Sequence, residues 1–153
     1  MATPKRETIL ANVQTTLQYI TKAHGYNFDV ALVSRNLANW EKENSLPALF
    51  IVAGAETASP ETNTEYTRSM NVRILAVVDA NQDVDGSGLL SKEMEKLLQD
   101  IIKVMTADIT RANPLFVDYT FYDGCHPLYD WSNPRGFMSI DFTVQFHHQA
   151  VNA

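Results

Sequence analysis

Residues 83–94 read Asp83-Val84-Asp85-Gly86-Ser87-Gly88-Leu89-Leu90-Ser91-Lys92-Glu93-Met94. The fold turns on whether this is a calcium loop between two helices or a link from a strand to a helix. Oxygen-bearing side chains stand where an EF-hand loop has its first, third and fifth positions (Asp83, Asp85, Ser87). Gly88 falls at the sixth, Leu90 at the eighth and Ser91 at the ninth, as that loop requires. The twelfth, which needs a bidentate glutamate, is Met94; Glu93 and Glu95 flank it out of register. Residues 72–78 just upstream are apolar and β-branched, which is strand composition, whereas an EF-hand needs a helix there. No second EF-like loop exists for pairing. The main reading is therefore an acidic turn. Gly86 and Gly88 give it turn geometry, and Asp85 or Ser87 caps a helix that begins near Leu89. Calcium at Asp83, Asp85, Ser87 and Leu89 is kept as an alternative.

Downstream the chain becomes helical. Met94 lies four residues after Leu90 and three before Leu97, so it joins a stripe with Leu98, Ile101, Val104 and Met105. Lys92, Glu93, Lys96, Gln99 and Lys103 take the other side. Asn113-Pro114 closes this region, because proline turns its predecessor away from helix. Residues 115–122 read as a strand and 123–136 as a long loop anchored by Tyr129 and Trp131. Residues 137–148 alternate cleanly. Met138, Ile140, Phe142, Val144 and Phe146 face one way; Ser139, Asp141, Thr143, Gln145 and His147 face water or a polar partner.

Upstream, residues 70–78 form a strand with Arg68 and Arg73 on its second face. Residues 55–65, rich in Thr, Glu, Ser and Pro, read as a long mobile loop. Residues 46–54 are apolar at nearly every position, as in a strand covered on both faces. The two strands make a hairpin. Ser34 caps a short turn carrying Leu37 and Trp40, and Tyr26, Phe28, Val30 and Leu32 alternate as a strand. Thr3-Pro4 starts a helix with Ile9, Leu10, Val13, Leu17 and Ile20 on one face, ended by Gly25. The sum is an α/β (α+β) fold: a mostly antiparallel mixed sheet of about five strands, with two main helices packed on one face. Residues 1–149 form a single domain and 150–153 a short tail.

Composition narrows the function. The chain has 153 residues, 45% of them hydrophobic, enough for one real core. A net charge of -6 opposes a nucleic-acid-binding surface. Nothing in it is long and apolar enough to span a bilayer, so no membrane partner is expected. The start lacks an apolar signal core, and the single cysteine has no intrachain partner, so a cytosolic origin is expected.

No chemical constellation stands out. Cys125-His126 is too small a zinc set, and neighbours on an extended chain point apart. His147-His148 are separated in the same way. No phosphate loop, nucleophile elbow or HExxH motif occurs. An enzyme is therefore not expected, nor a cofactor. Asp100, beside the apolar stripe, is a candidate for an intersubunit ion pair, with a solvated helix face as the alternative.

With these segments placed, the chain resembles the tail terminator proteins of long-tailed bacteriophages. The likeness rests on order and spacing. An N-terminal helix leads into His24-Gly25-Tyr26. Leu46-Pro47-Ala48-Leu49-Phe50-Ile51 follows, then a Glu, Thr and Ser loop, then Arg73-Ile74-Leu75-Ala76-Val77-Val78. The segment from Leu97 to Asp108 comes next, and Gly136-Phe137 opens the last strand. The acidic turn at Asp83 and Asp85 is not part of that pattern, so the family gives it no role.

The resemblance implies a structural virion protein. Six copies would form a ring on the finished tail tube, stop its polymerisation and present a surface to the head. The implied partners are other copies of itself, the tail tube protein and the head–tail connector protein, with DNA only passing through the lumen. The implied location is the neck of the virion, after assembly in the host cytoplasm. Another neck or tail-completion protein is the alternative. Candidate contacts are Glu56, Glu61 and Glu65 in the first long loop, Asp83 and Asp85 in the acidic turn, Asp100, and Tyr129 and Trp131 in the second long loop.

Overall fold

The computed structural model describes residues 3–79, 89–130 and 135–153. It is an α+β fold: helices α1 (Lys5–Gln18) and α2 (Leu89–Ala107) with strands β1 (Leu32–Ser34), β2 (Ala48–Pro60), β3 (Glu65–Asp79), β4 (Val117–Asp130) and β5 (Arg135–Gln149). The five strands form one sheet in the order β1-β2-β3-β5-β4. β1 runs parallel to β2 and every other neighbour is antiparallel. Both helices lie on one face, joined to the sheet in a single core that includes Val13 and Leu17, Leu97 and Ile101, and Ile74 and Phe142.

The segment ahead of Leu89 that an EF-hand would make a helix is the strand β3, which ends at Asp79. Met94 is 1% exposed. Its thioether packs so closely against β5 that a Cβ at Gly136 would collide with its sulfur and its Cγ. The core uses Met94 as a hydrophobe, and glycine at 136 lets helix and strand approach.

Both expected long loops are paired strands. Across residues 55–65, β2 continues against β3 through Glu56↔Met70, Ala58↔Arg68 and Pro60↔Tyr66 after a bulge between Ala53 and Glu56. The turn is 61–64, where the Glu61 N–H donates to the Glu65 carbonyl at 2.9 Å. Across 123–136, β4 pairs with β5 from Gly124↔Asp141 to Asp130↔Arg135. Residues 57–60 of β2 are exposed on both faces, and 123–127 of the edge strand β4 hold only polar, small or proline residues, so the period-2 signal fades.

The segment read as a strand from Tyr26 is mostly unpaired. Only Leu32–Ser34 joins the sheet. Tyr26, Phe28 and Val30 do pack against the core. Their backbone partners lie elsewhere: the Asn27 and Phe28 N–H groups donate to the Asp100 carboxylate, and the Val30 N–H to the Ile20 carbonyl. Alternation there reports burial, not a ladder. α1 also ends before Gly25; that glycine, at φ 88, closes a separate 3-10 turn, Lys22–His24. Ser34 caps no helix, since its hydroxyl accepts the Asn36 N–H at 3.0 Å in a local turn.

The sheet's outer face is covered at one end only. Ala48, Phe50 and Val77 make a small second core under Trp40, whose ring meets Phe50 and Phe137 edge-on at 6.2 and 5.6 Å. Arg135 ties this flap down by donating to the Glu41 and Glu43 carbonyls at 2.9 and 3.0 Å. β2 is therefore covered on both faces along Ala48–Ile51, as its sequence suggests.

Candidate assembly surfaces

The uncovered end of the outer face is built by the odd residues of β3 and β5. Asn71, Arg73, Asp141, Thr143, Gln145 and His147 lie there, paired across the ladder. Along β5 the even residues are buried and the odd ones half-exposed. The face is polar and leans acidic, with Asp118, Asp123 and Asp141 set against Arg73. Arg73 Nε donates to Asp141 Oδ1 at 2.9 Å, and His147 Nδ1 lies 2.9 Å from Asp118 Oδ1. Partial burial pushes the Asp141 pKa up, but hydrogen bonds from Arg73 and Asn71 outweigh it and hold the group below the usual carboxylate range. Beside these pairs Tyr119 and Phe121 stack at 4.6 Å, 46% and 43% exposed. Aromatic rings beside a polar rim suit a protein–protein contact. This pair was missed in the sequence, although two rings at i and i+2 in a strand are a readable signal.

A second surface is the arm made by the far ends of β2 and β3. Glu56 sits at its root and is engaged within the chain. Arg68 grips it with two hydrogen bonds, 2.6 and 2.7 Å, and Arg6 adds a third at 3.2 Å. The Arg68 hydrogen bonds hold its carboxyl below the ordinary glutamate range. Arg68 lies over the Phe146 ring at 4.7 Å, so it faces the helices while Arg73 faces away. The two arginines thus occupy opposite faces, not one, because five residues separate them on a two-residue period. Glu61 is exposed at the turn and Glu65 half-exposed where β3 starts. Neither joins an ion pair among the described residues.

Asp100 is not at a subunit surface. It is 2% exposed, and its oxygens accept the N–H groups of Asn27 and Phe28 and the Asn27 amide at 2.9–3.1 Å. It is an internal brace joining α2 to the segment after α1, which corrects both the ion-pair and the solvated-face readings. Its oxygens thus find hydrogen-bond donors inside the chain, as a buried polar group requires.

Arg111 is a buried cation that the sequence did not announce. It is 0% exposed, at φ 51, and its guanidinium donates to the carbonyls of Met105 and Asp108 at the end of α2. Burial pushes its pKa down to about 10, and Asp108 works the other way. It caps the negative end of the helix from inside.

Cys125 points into the sheet's helix side, opposite Ile140, and His126 lies next to Ser139 on the other face. Burial raises the Cys125 pKa, which suits an inert thiol. His147 and His148 likewise divide, with His148 stacked on Tyr66 at 5.8 Å. Among the described residues no three His, Cys, Asp or Glu gather to hold a metal, and no helix is long and apolar enough to cross a membrane. The candidates Asp83, Asp85, Ser87 and Trp131 lie outside the described residues. Leu89 opens α2, and Tyr129 lies on β4, paired with Gly136.

No protein-family model matches the sequence, and no curated protein matches it. The fold does match a chain in a solved structure, the virion of a native gene transfer agent particle. The two are 6% identical, the match covers 95% of this chain and 96% of that one, and the TM-score is 0.52. At that identity the likeness is one of fold.

Proposed function

We propose that this chain is a structural protein of a phage-like virion, and within that class a tail terminator whose copies form a ring on the tail tube. The observation that carries the reading is the end-to-end fold match to a chain of a virion. The surfaces support it: a polar sheet face with exposed aromatics and an exposed hairpin tip are features for meeting other subunits. A ring joins two different patches on each subunit, and this molecule has two distinct ones to offer. In this reading the ring is a hexamer, stops tube growth, presents a surface to the connector and lets DNA through its lumen. With a net charge of -6 the subunit repels phosphate, which suits a conduit.

Native mass spectrometry with and without tail tubes tests the reading. A hexamer, or a monomer that forms rings only on tubes, is the expected result. A chain that stays monomeric in both and shifts only with calcium would replace it with the calcium-binding alternative at Asp83, Asp85 and Ser87. Removing residues 57–64 is expected to block tail joining while the circular dichroism spectrum stays that of the folded domain. Normal virions from that deletion would remove the hairpin arm from the assignment.

A further inference from the structure

The hairpin arm ends in a tip that its own chain leaves bare. Residues 57–64 are exposed throughout. The tip carries Pro60 and the carboxylates of Glu61 and Glu65, with no cation between them in sequence. On the helix side of the molecule, α2 presents a groove of about 460 Å³ lined by Glu95, Leu98, Gln99, Ile102 and Lys103. Leu98 and Ile102 are only half-buried there, although the helical stripe would place Leu98 in the core. One end of the groove is cationic. Lys103 Nζ donates to the Gly25 carbonyl at 3.3 Å and lies over the Tyr26 ring at 4.8 Å. The turn it meets carries Lys22 and His24, both on the surface. The nearby Asp29 carboxylate already accepts the Lys22 backbone N–H at 2.7 Å.

We propose that the tip of the β2–β3 hairpin of one copy seats in the α2 groove of the next. Pro60 lies against Leu98 and Ile102, and Glu61 and Glu65 face Lys103 and Lys22. This rests on the ring reading and names its contact. The occupant follows from charge and shape together: a slot apolar at Leu98 and Ile102, cationic at Lys103 and acidic at Glu95, takes a tip with one proline and two carboxylates, the carboxylates at its Lys103 end. The ammonium of Lys103 has three donors, so its bond to Gly25 leaves two for a partner. A tip meeting another tip would set acid against acid, so the contact is head-to-tail and repeats until a ring closes.

Cysteine pairing tests this. In a Cys125→Ala background, Thr62→Cys and Gln99→Cys are placed singly and together. The double variant, oxidised in the assembled state, is expected to give a covalent ladder that stops at the ring's copy number. Mixing the two single variants should give one linked dimer, and each alone none. A tip-to-tip link from Thr62→Cys alone overturns the proposal. A ring by native mass without a ladder overturns the groove contact and leaves the ring reading standing. A monomer with no ladder, on tubes or off, overturns both. In the unaltered background, Glu61→Lys with Glu65→Lys should weaken association by about tenfold or more; unchanged association also overturns the proposal.

Discussion

The two faces of β5 follow different rules within one strand. On the helix side Met138, Ile140, Phe142, Val144 and Phe146 are at most 3% exposed and belong to the main core. On the other side Asp141, Thr143, Gln145 and His147 are half-exposed and meet mostly polar neighbours. The backbone ladder is shared, so the difference comes from side chains alone. Stability is concentrated on one face, and the other is free to vary in chemistry without endangering the fold. That is how a sheet holds a subunit together while offering a partner a flat polar surface.

Mutations on the two faces break or sharpen this contrast. Phe142→Ala should have the largest effect, a loss of about 3–5 kcal/mol in urea unfolding, because the cavity lies at the centre of the core. A loss under about 1 kcal/mol there would mean the two faces are not unequal. Asp100→Ala comes next, at about 1–3 kcal/mol, since it takes the acceptor from the part-buried N–H groups of Asn27 and Phe28. It also separates the inner face's helix from the segment it braces, so amide exchange at Asn27 and Phe28 should quicken.

The Glu56 cluster should show a pH effect of about 1 kcal/mol. The folded carboxyl is held below its free value of 4.5 by Arg68, so its contribution is full above that pH and is lost as the pH falls through the folded value. Glu56→Gln should flatten the acid limb of a stability-versus-pH curve; an unchanged limb would show the cluster idle. Thr143→Ala on the outer face should matter least, under about 0.5 kcal/mol by the same urea assay. Any large effect of that change is expected only in assembly.

The contrast also explains what the sequence discloses. The core is legible because burial on one face imposes a period: 3.6 along α2, where Met94 sits between Leu90 and Leu97, and 2 along β5. Met94 in particular is claimed by the core, so the twelfth position of the calcium pattern holds a hydrophobe. Where side chains are polar, small or exposed the period disappears. Residues 55–65 and 123–136 therefore read as loops, although 55–60 and 123–130 are strand. Tyr26, Phe28 and Val30 fail in the opposite sense, since they alternate as partly buried residues while Asp100 takes two of their segment's N–H groups. Asp100 and Arg111 show why buried ionisable groups are hard to foresee: each is held by backbone groups, Asp100 by some 73 residues distant in sequence and Arg111, whose Nε keeps no partner among the described residues, by the carbonyls of Met105 and Asp108. The assembly surfaces are the least legible part. Glu56 looks like a free acid in the sequence and is committed to Arg68 and Arg6, while Tyr119 and Phe121 look like core and are exposed.

The outermost strand, β4, has a consequence of its own. It is the long free border of the sheet, and such borders invite another chain to add on. Two bulges interrupt it, at 117–119 and 122–124, Gly124 takes a positive φ of 145, and Pro127 has no N–H to give. Each irregularity removes a stretch of straight, evenly spaced donors and acceptors. Along this border, copies crowded together therefore meet a poor template for adding strand to strand, and contact through the sheet's faces is favoured over contact through β4.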